Sequence, residues 1–143
     1  MLTATVQTAN KKDKVIYWIS TGIVVLLDSV MPAFTFNTDL AKQGIAHLGY
    51  PDYFRIELTF FKVLGGIVLF LPSISARLKE WAYFGFALDF ISAFIGHVIV
   101  DGFNGQSVFP LVMLVILIVS YVYYHKINKV FHSKDYKTMY KNQ

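Results

Sequence analysis

The stretch VFPLVMLVILIVSYVYYHK, residues 108–126, decides the fold class of this chain. It is apolar without strong interruption until its last two residues. Its length is close to the ~20 residues that a helix needs to cross the hydrocarbon core of a bilayer. The stretch therefore predicts a transmembrane helix.

Three further apolar segments of similar length precede it, each interrupted by isolated charges. None shows the polar stripe at helical spacing that helices of a soluble bundle present. Of the 143 residues, 55% are hydrophobic and only 15% are charged, whereas roughly 25% of residues are charged in soluble domains. We predict an all-α fold, a bundle of four transmembrane helices at about 15–36, 53–72, 81–100 and 108–126.

The domain organisation follows from these segments. We predict a polar N-terminus over residues 1–14, a transmembrane domain over residues 15–126 and a basic tail over residues 127–143. The polar stretch 37–52 is predicted to form a short helix at the membrane interface, ending near Gly49.

Lysine and arginine positions predict the orientation, because these residues favour the cytoplasmic side. If the N-terminus is cytoplasmic, only Lys42 and Arg55 lie on the outer side. The inner side then holds Lys11, Lys12, Lys14, Arg77, Lys79 and the lysines of residues 126–141. We therefore expect both termini to be cytoplasmic. A basic tail beside a membrane is expected to contact lipid headgroups, so no nucleic-acid partner is predicted.

Ionisable residues from three of the segments fall in the outer and middle parts of the membrane. At a rise of 1.5 Å per residue, the depths of Lys62 and Asp89 match, as do those of Glu57 and His97. A charge in the membrane costs on the order of 2.5–3.5 kcal/mol, so we expect these residues to pair. Asp28 is the fifth member of this polar layer.

The layer carries more negative than positive charge. Either one carboxyl group stays protonated, or Arg55, a protonated His97 or a bound cationic group neutralises it. Gly65 and Gly66 allow close helix approach. Pro32 cannot donate to the carbonyl oxygen of Asp28, which predicts an irregular helix at this point.

We interpret the layer as an outward-facing polar pocket within the membrane. Its candidate ligand-binding residues are Asp28, Arg55, Glu57, Lys62, Asp89 and His97. The chain has no cysteine, which excludes disulfides and thiolate metal sites. No HExxH spacing, GxSxG motif or phosphate-binding glycine loop occurs, so no metal site is predicted.

Two runs, AHLGYPDYFRIELTFFKVLGGIVLFLP (46–72) and RLKEWAYFGFALDFISAFIGH (77–97), resemble the DoxX-like family of small bacterial membrane proteins. The resemblance implies a four-helix bundle in the bacterial inner membrane. The family pattern includes Glu57, Lys62 and His97. Some relatives resemble subunits of membrane oxidoreductase complexes, which makes quinone a candidate cofactor and an oxidoreductase subunit a candidate partner.

Three functions are consistent with these observations. The first is an accessory protein that binds a small lipid-like, quinone or amine ligand, alone or in a membrane redox complex. The second is a membrane-embedded isomerase or oxidoreductase that uses Glu57 and His97 as acid and base. The third is a structural or assembly partner in which the polar layer ties the helices together.

Overall fold

The computed structural model describes the backbone of residues 10–141 and the side chains of residues 10–128. Every regular element in this part is helical, which confirms the all-α prediction. The elements are α1 (Lys11–Val25), a π-helical turn (Leu26–Val30), α2 (Met31–Thr35), α3 (Asp39–His47), α4 (Asp52–Phe70), α5 (Ala76–Asp101) and α6 (Gly105–Lys141).

The first three elements form one continuous helix, Lys11–Thr35, called the first helix below. Helix α6 packs against α1 and α5, while α4 packs against α5, α1 and the π-helical turn. Large side chains fill the centre of this bundle: Val24, Leu69, Phe86, Phe90, Met113 and Leu117. Many equally large apolar side chains remain exposed on its outside, among them Phe34 at 84% and Ile99 at 77%.

The π-helical turn has a local cause in the sequence. Pro32 has no N–H group to continue the regular hydrogen-bond pattern, and the Met31 N–H reaches five residues back to the carbonyl oxygen of Leu26. The irregularity expected at Asp28 therefore takes the form of one widened turn. Asp28 and Ser29, both in this turn, are buried.

The short helix predicted within residues 37–52 is present as α3. Thr38 caps its N-terminus by accepting a hydrogen bond from the Ala41 N–H. Gly49, with φ of +82°, follows its C-terminus, a conformation that glycine adopts without a steric penalty. Helix α3 packs against α4 and so connects the first helix to the start of α4.

Several helix boundaries differ from the sequence prediction. The first helix begins at Lys11 and not at residue 15, and α6 begins at Gly105 and not at residue 108. Helix α5 begins at Ala76, well before the predicted residue 81, because Ser75 accepts a hydrogen bond from the Leu78 N–H and caps the helix. Helix α6 continues beyond residue 126 to Lys141. Residues 1–9 of the predicted N-terminus and residues 142–143 of the predicted tail lie outside the described residues.

Candidate functional site

A lysine between two aspartates forms the centre of the polar layer. Lys62 Nζ on α4 donates a hydrogen bond to Asp28 Oδ1 at 2.8 Å. The same nitrogen lies 2.9 Å from Asp89 Oδ2 on α5. The predicted pairing of Lys62 with Asp89 is thus confirmed, and Asp28 joins it. We call Asp28, Lys62 and Asp89 the charge triad.

The charge triad connects three helices inside the bundle. Its side chains are largely buried, with exposed fractions of 12% for Asp28, 17% for Lys62 and 14% for Asp89. A buried charge pair of this kind is favourable only when its geometry is good and its remaining polar atoms have partners. The hydrogen bonds of the two carboxylates therefore decide whether the triad is fully satisfied.

Both aspartates keep a buried acceptor atom without a hydrogen bond. Asp28 Oδ2 has no hydrogen-bond partner among the described residues, and neither has Asp89 Oδ2. The latter atom is close to Lys62 Nζ, but the approach lacks hydrogen-bond geometry, so we treat that contact as an ion pair only. With both carboxylates ionised, the charge triad carries one excess negative charge. The site is thus able to accept a hydrogen bond or a positive charge.

Ser29 and two glycines place the triad. The Ser29 hydroxyl donates to the carbonyl oxygen of Lys62 at 2.7 Å. A Cβ atom on Gly66 would lie 2.6 Å from Ser29 Cβ, and one on Gly65 would lie 3.0 Å from Phe86 Cε2. Only glycine lets the helices approach this closely, as the sequence predicted.

A cavity of about 450 Å³ opens beside the triad, between α4 and α5. Lys62 and Asp89 supply its charged groups, and most of the remaining wall is apolar. The apolar wall includes Phe61, Leu64, Val68, Leu78, Trp81 and Phe86. Such a cavity suits a molecule with one polar end and an apolar body.

The other predicted site residues lie elsewhere. The Arg55 guanidinium is buried and binds Asp52 Oδ1 at 2.9 Å. It also donates to the carbonyl oxygen of Phe36. Arg55 thereby holds the start of α4 against the end of the first helix, and it does not bind the charge triad.

The predicted pairing of Glu57 with His97 is wrong. The Glu57 side chain is exposed and has no ion pair among the described side chains. His97 Nδ1 instead lies 3.3 Å from Asp101 Oδ2, one turn further along α5. The prediction rested on the matching depths of the two residues in the membrane. The two side chains nevertheless do not meet, because they point in different directions around their helices.

Asp101 connects His97 to a histidine of α3. His47 Nε2 lies 2.5 Å from Asp101 Oδ1. This three-residue contact holds α3 against the end of α5. Neither His47 nor Asp101 was a predicted site residue, because nothing in the sequence indicates that α3 folds back onto α5. In the described part of the chain, no three His, Asp or Glu side chains form a group that could hold a metal ion.

Lys79 is another polar residue that was not among the predicted site residues. It was assigned to the inner side, yet its side chain is buried, with 3% exposed. Lys79 Nζ lies 3.2 Å from the carbonyl oxygen of Leu69, near the C-terminus of α4. No pattern in the sequence indicated this burial, because it depends on how the start of α5 packs against the end of α4.

A hydroxyl cluster lies in the same half of the bundle. Thr21 Oγ1 and Ser120 Oγ are 2.7 Å apart, and Tyr83 Oη lies 2.8 Å from Ser120 Oγ. All three residues are buried. These hydrogen bonds connect α1, α5 and α6, and we assign them a structural role because every hydroxyl has a partner.

Three helices of the described chain are long and apolar enough to cross a membrane, at Lys11–Thr35, Ala76–Asp101 and Gly105–Asn128. Together with their exposed apolar surfaces, they define a multi-pass membrane protein in contact with lipid. The chain belongs to the DoxX-like family, whose family model matches residues 19–120. No curated protein and no solved structure matches the chain.

Proposed function

We propose that the chain crosses the bacterial inner membrane four times and that both termini are cytoplasmic. In this topology α4 crosses the membrane in addition to the three long apolar helices. The 19 residues of α4 extend about 28 Å at 1.5 Å per residue, close to the ~30 Å of the hydrocarbon core. Its charges set it apart from the other three helices. Lys62 is neutralised within the bundle, and Arg55 pairs with Asp52, which reduces the cost of placing α4 in lipid.

The distribution of lysine and arginine supports this orientation. The proposed domain boundaries remain residues 1–14, 15–126 and 127–143.

Reporter fusions after residue 50, residue 74, residue 103 and residue 143 test the topology. Four spans predict that the fusions after 74 and 143 report a cytoplasmic position and the other two an external one. If α4 does not cross, the fusions after 50 and 74 will report the same side.

We propose that the protein binds an amphiphile with a protonated amine in the cavity between α4 and α5. The observation that carries this proposal is that two buried carboxylate oxygens, Asp28 Oδ2 and Asp89 Oδ2, lack hydrogen bonds. With both carboxylates ionised, the triad also has one positive charge too few. An ammonium group beside Asp89 would supply both a hydrogen-bond donor and the missing positive charge. The apolar wall of the cavity would hold the aliphatic part of the molecule.

A quinone, bound by an accessory subunit of a redox complex, is the competing ligand. Its carbonyl oxygens need hydrogen-bond donors, yet the donor at the triad, Lys62, already contacts two carboxylates. We therefore propose an amine, and not a quinone, as the ligand of this cavity. The acid–base function of Glu57 with His97 gains no support from the geometry, because the two side chains do not meet.

The first test is native mass spectrometry of the full-length protein in a mild detergent, followed by solvent extraction. A stoichiometric amine-bearing lipid supports the proposal, whereas a stoichiometric quinone contradicts it. Dodecylamine then serves as a defined probe, with dodecan-1-ol as its uncharged control. We expect saturable 1:1 binding of the amine only.

Variants identify the site. Asp89→Asn removes the excess charge and should weaken dodecylamine binding by about tenfold or more, since hydrogen bonds to charged groups contribute ~1.5–3 kcal/mol. Glu57→Gln removes an exposed carboxylate from α4 and should leave the affinity within about twofold. Equal affinities of Asp89→Asn and the unmodified protein would contradict amine binding at the triad.

A further inference from the structure

We propose a second binding site, for a phosphate-bearing anion, at the end of the bundle that the proposed topology places in the cytoplasmic leaflet. A cavity of about 510 Å³ lies there, at the start of α5 and beside α6. Its wall combines apolar and polar side chains. Its wall includes Pro72, Ile74, Lys79, Tyr124, His125 and Asn128.

Lys79 is the residue that makes this cavity a candidate anion site. Its ammonium group has two neutral neighbours, the carbonyl oxygen of Leu69 at 3.2 Å and the hydroxyl of Tyr17 at 3.5 Å. It also lies 5.5 Å from the centre of the Tyr124 ring. These contacts leave one of the three ammonium N–H groups without a described acceptor, and they do not neutralise its charge.

No carboxylate forms an ion pair with Lys79 within the described side chains. Its nearest acidic neighbour in sequence, Glu80, instead has its carboxylate 2.7 Å from His125 Nε2, without hydrogen-bond geometry. Outside the described side chains, the chain has a single acidic residue, Asp135. It follows Tyr124 on the continuous helix α6, about 16 Å further along the axis at 1.5 Å per residue. A buried cation without a counter-charge is costly, so a bound anion would stabilise it.

The surrounding charges favour the same ligand. Helix α5 has no acidic residue in its first turn, where the positive end of a helix dipole normally attracts negative groups. The apolar residues Pro72 and Ile74 would contact the acyl chains of a lipid. A phosphate group is common to an acidic phospholipid and to free phosphate, and both fit this charge pattern.

Equilibrium binding to the full-length protein in a neutral detergent tests the proposal. The probes are dioctanoyl phosphatidylglycerol, dioctanoyl phosphatidylcholine with no net charge, and inorganic phosphate. We expect the phosphatidylglycerol to bind saturably and the phosphatidylcholine to bind at least about tenfold more weakly. Binding of inorganic phosphate as tight as that of phosphatidylglycerol would identify a soluble anion as the source.

Lys79→Met should weaken anion binding by about tenfold or more, because it removes the buried charge and keeps the length of the side chain. Arg77→Met is the matched control, since it removes one positive charge from the same helical turn at an exposed position. We expect it to change the affinity by less than about threefold. Equal losses in both variants would show that binding is only a general electrostatic attraction and would overturn the site.

Ala76→Phe tests the site if Lys79→Met does not fold. Ala76 is exposed and lines the cavity, so a phenyl ring there narrows the cavity and leaves Lys79 in place. We expect the same loss of phosphatidylglycerol binding. Unchanged affinity in this variant, or the absence of saturable binding of both anionic probes, would contradict the proposal. This outcome is independent of dodecylamine binding at the charge triad.

Discussion

The Ser29 hydroxyl donates a 2.7 Å hydrogen bond to the backbone carbonyl oxygen of Lys62. The preceding residue, Asp28, accepts a 2.8 Å hydrogen bond from the ammonium group of the same lysine. Two adjacent residues of the π-helical turn therefore hold one residue of α4, one through its backbone and the other through its charge. This double contact fixes the first helix against α4 at the depth of the candidate site.

Replacement of Lys62 is expected to be the most damaging change in the triad. Lys62→Met leaves two buried carboxylates without a positive partner, and we expect a loss of about 3–5 kcal/mol in the free energy of unfolding. Asp28→Asn should cost less, because it leaves one balanced ion pair. Reversible unfolding in mixed micelles measures both values. A smaller loss for Lys62→Met than for Asp28→Asn would show that the excess negative charge is not present.

Restoring neutrality should recover stability. We expect the triple variant Lys62→Met, Asp28→Asn, Asp89→Asn to be more stable than Lys62→Met alone, since no unpaired charge remains. If the triad serves only to connect the helices, the triple variant should also keep its function. Retained dodecylamine binding by this variant would contradict the proposed amine site.

Gly66 should tolerate no larger residue. A Cβ atom there would lie 2.6 Å from Ser29 Cβ, so Gly66→Ala must push the first helix away from α4. We expect a loss of about 1–3 kcal/mol in the free energy of unfolding. Ser29→Ala should not rescue it, because the obstructing Cβ atom remains. Gly22→Ala is the control, with no atom within 4 Å of its Cβ position, and it should be neutral or slightly stabilising.

Ser120 connects two other helices to α6. Ser120→Ala removes hydrogen bonds with both Thr21 and Tyr83 and leaves buried hydroxyl groups unpaired. We expect a loss of about 1–3 kcal/mol, measured by the same unfolding assay. Ser92→Ala, at an exposed position on α5, should change stability by less than about 0.5 kcal/mol. Similar losses in the two variants would contradict the importance of the hydroxyl cluster.

Asp101 should control the docking of α3. Asp101→Asn weakens the contacts with His47 and His97, and we expect faster hydrogen exchange over residues 39–47. The global stability should fall by no more than about 1 kcal/mol, because the pair with His47 is exposed to solvent. Asp39→Asn, near the opposite end of α3, serves as the control. Unchanged exchange in Asp101→Asn would show that α3 is held by its packing on α4 alone.

The ion pair between Lys62 and Asp89 was predictable from the sequence, because the depth of a residue in a membrane helix follows from its distance to the helix end. The same reasoning failed for Glu57 with His97. Depth gives the level of a side chain but not its direction around the helix axis, which depends on how each helix is rotated in the bundle. Asp28 was predicted in the layer, but its contact with Lys62 required the π-helical turn.

The sequence by itself determined the helical membrane fold, since long apolar segments with few charges have no other stable arrangement in lipid. It also predicted close packing at Gly65 and Gly66 and an irregular helix before Pro32. Only the tertiary structure decided which charges meet, that Lys79 is buried without a carboxylate, and that His47 reaches Asp101. These features depend on the rotation and packing of helices far apart in sequence, and no local pattern of residues records them.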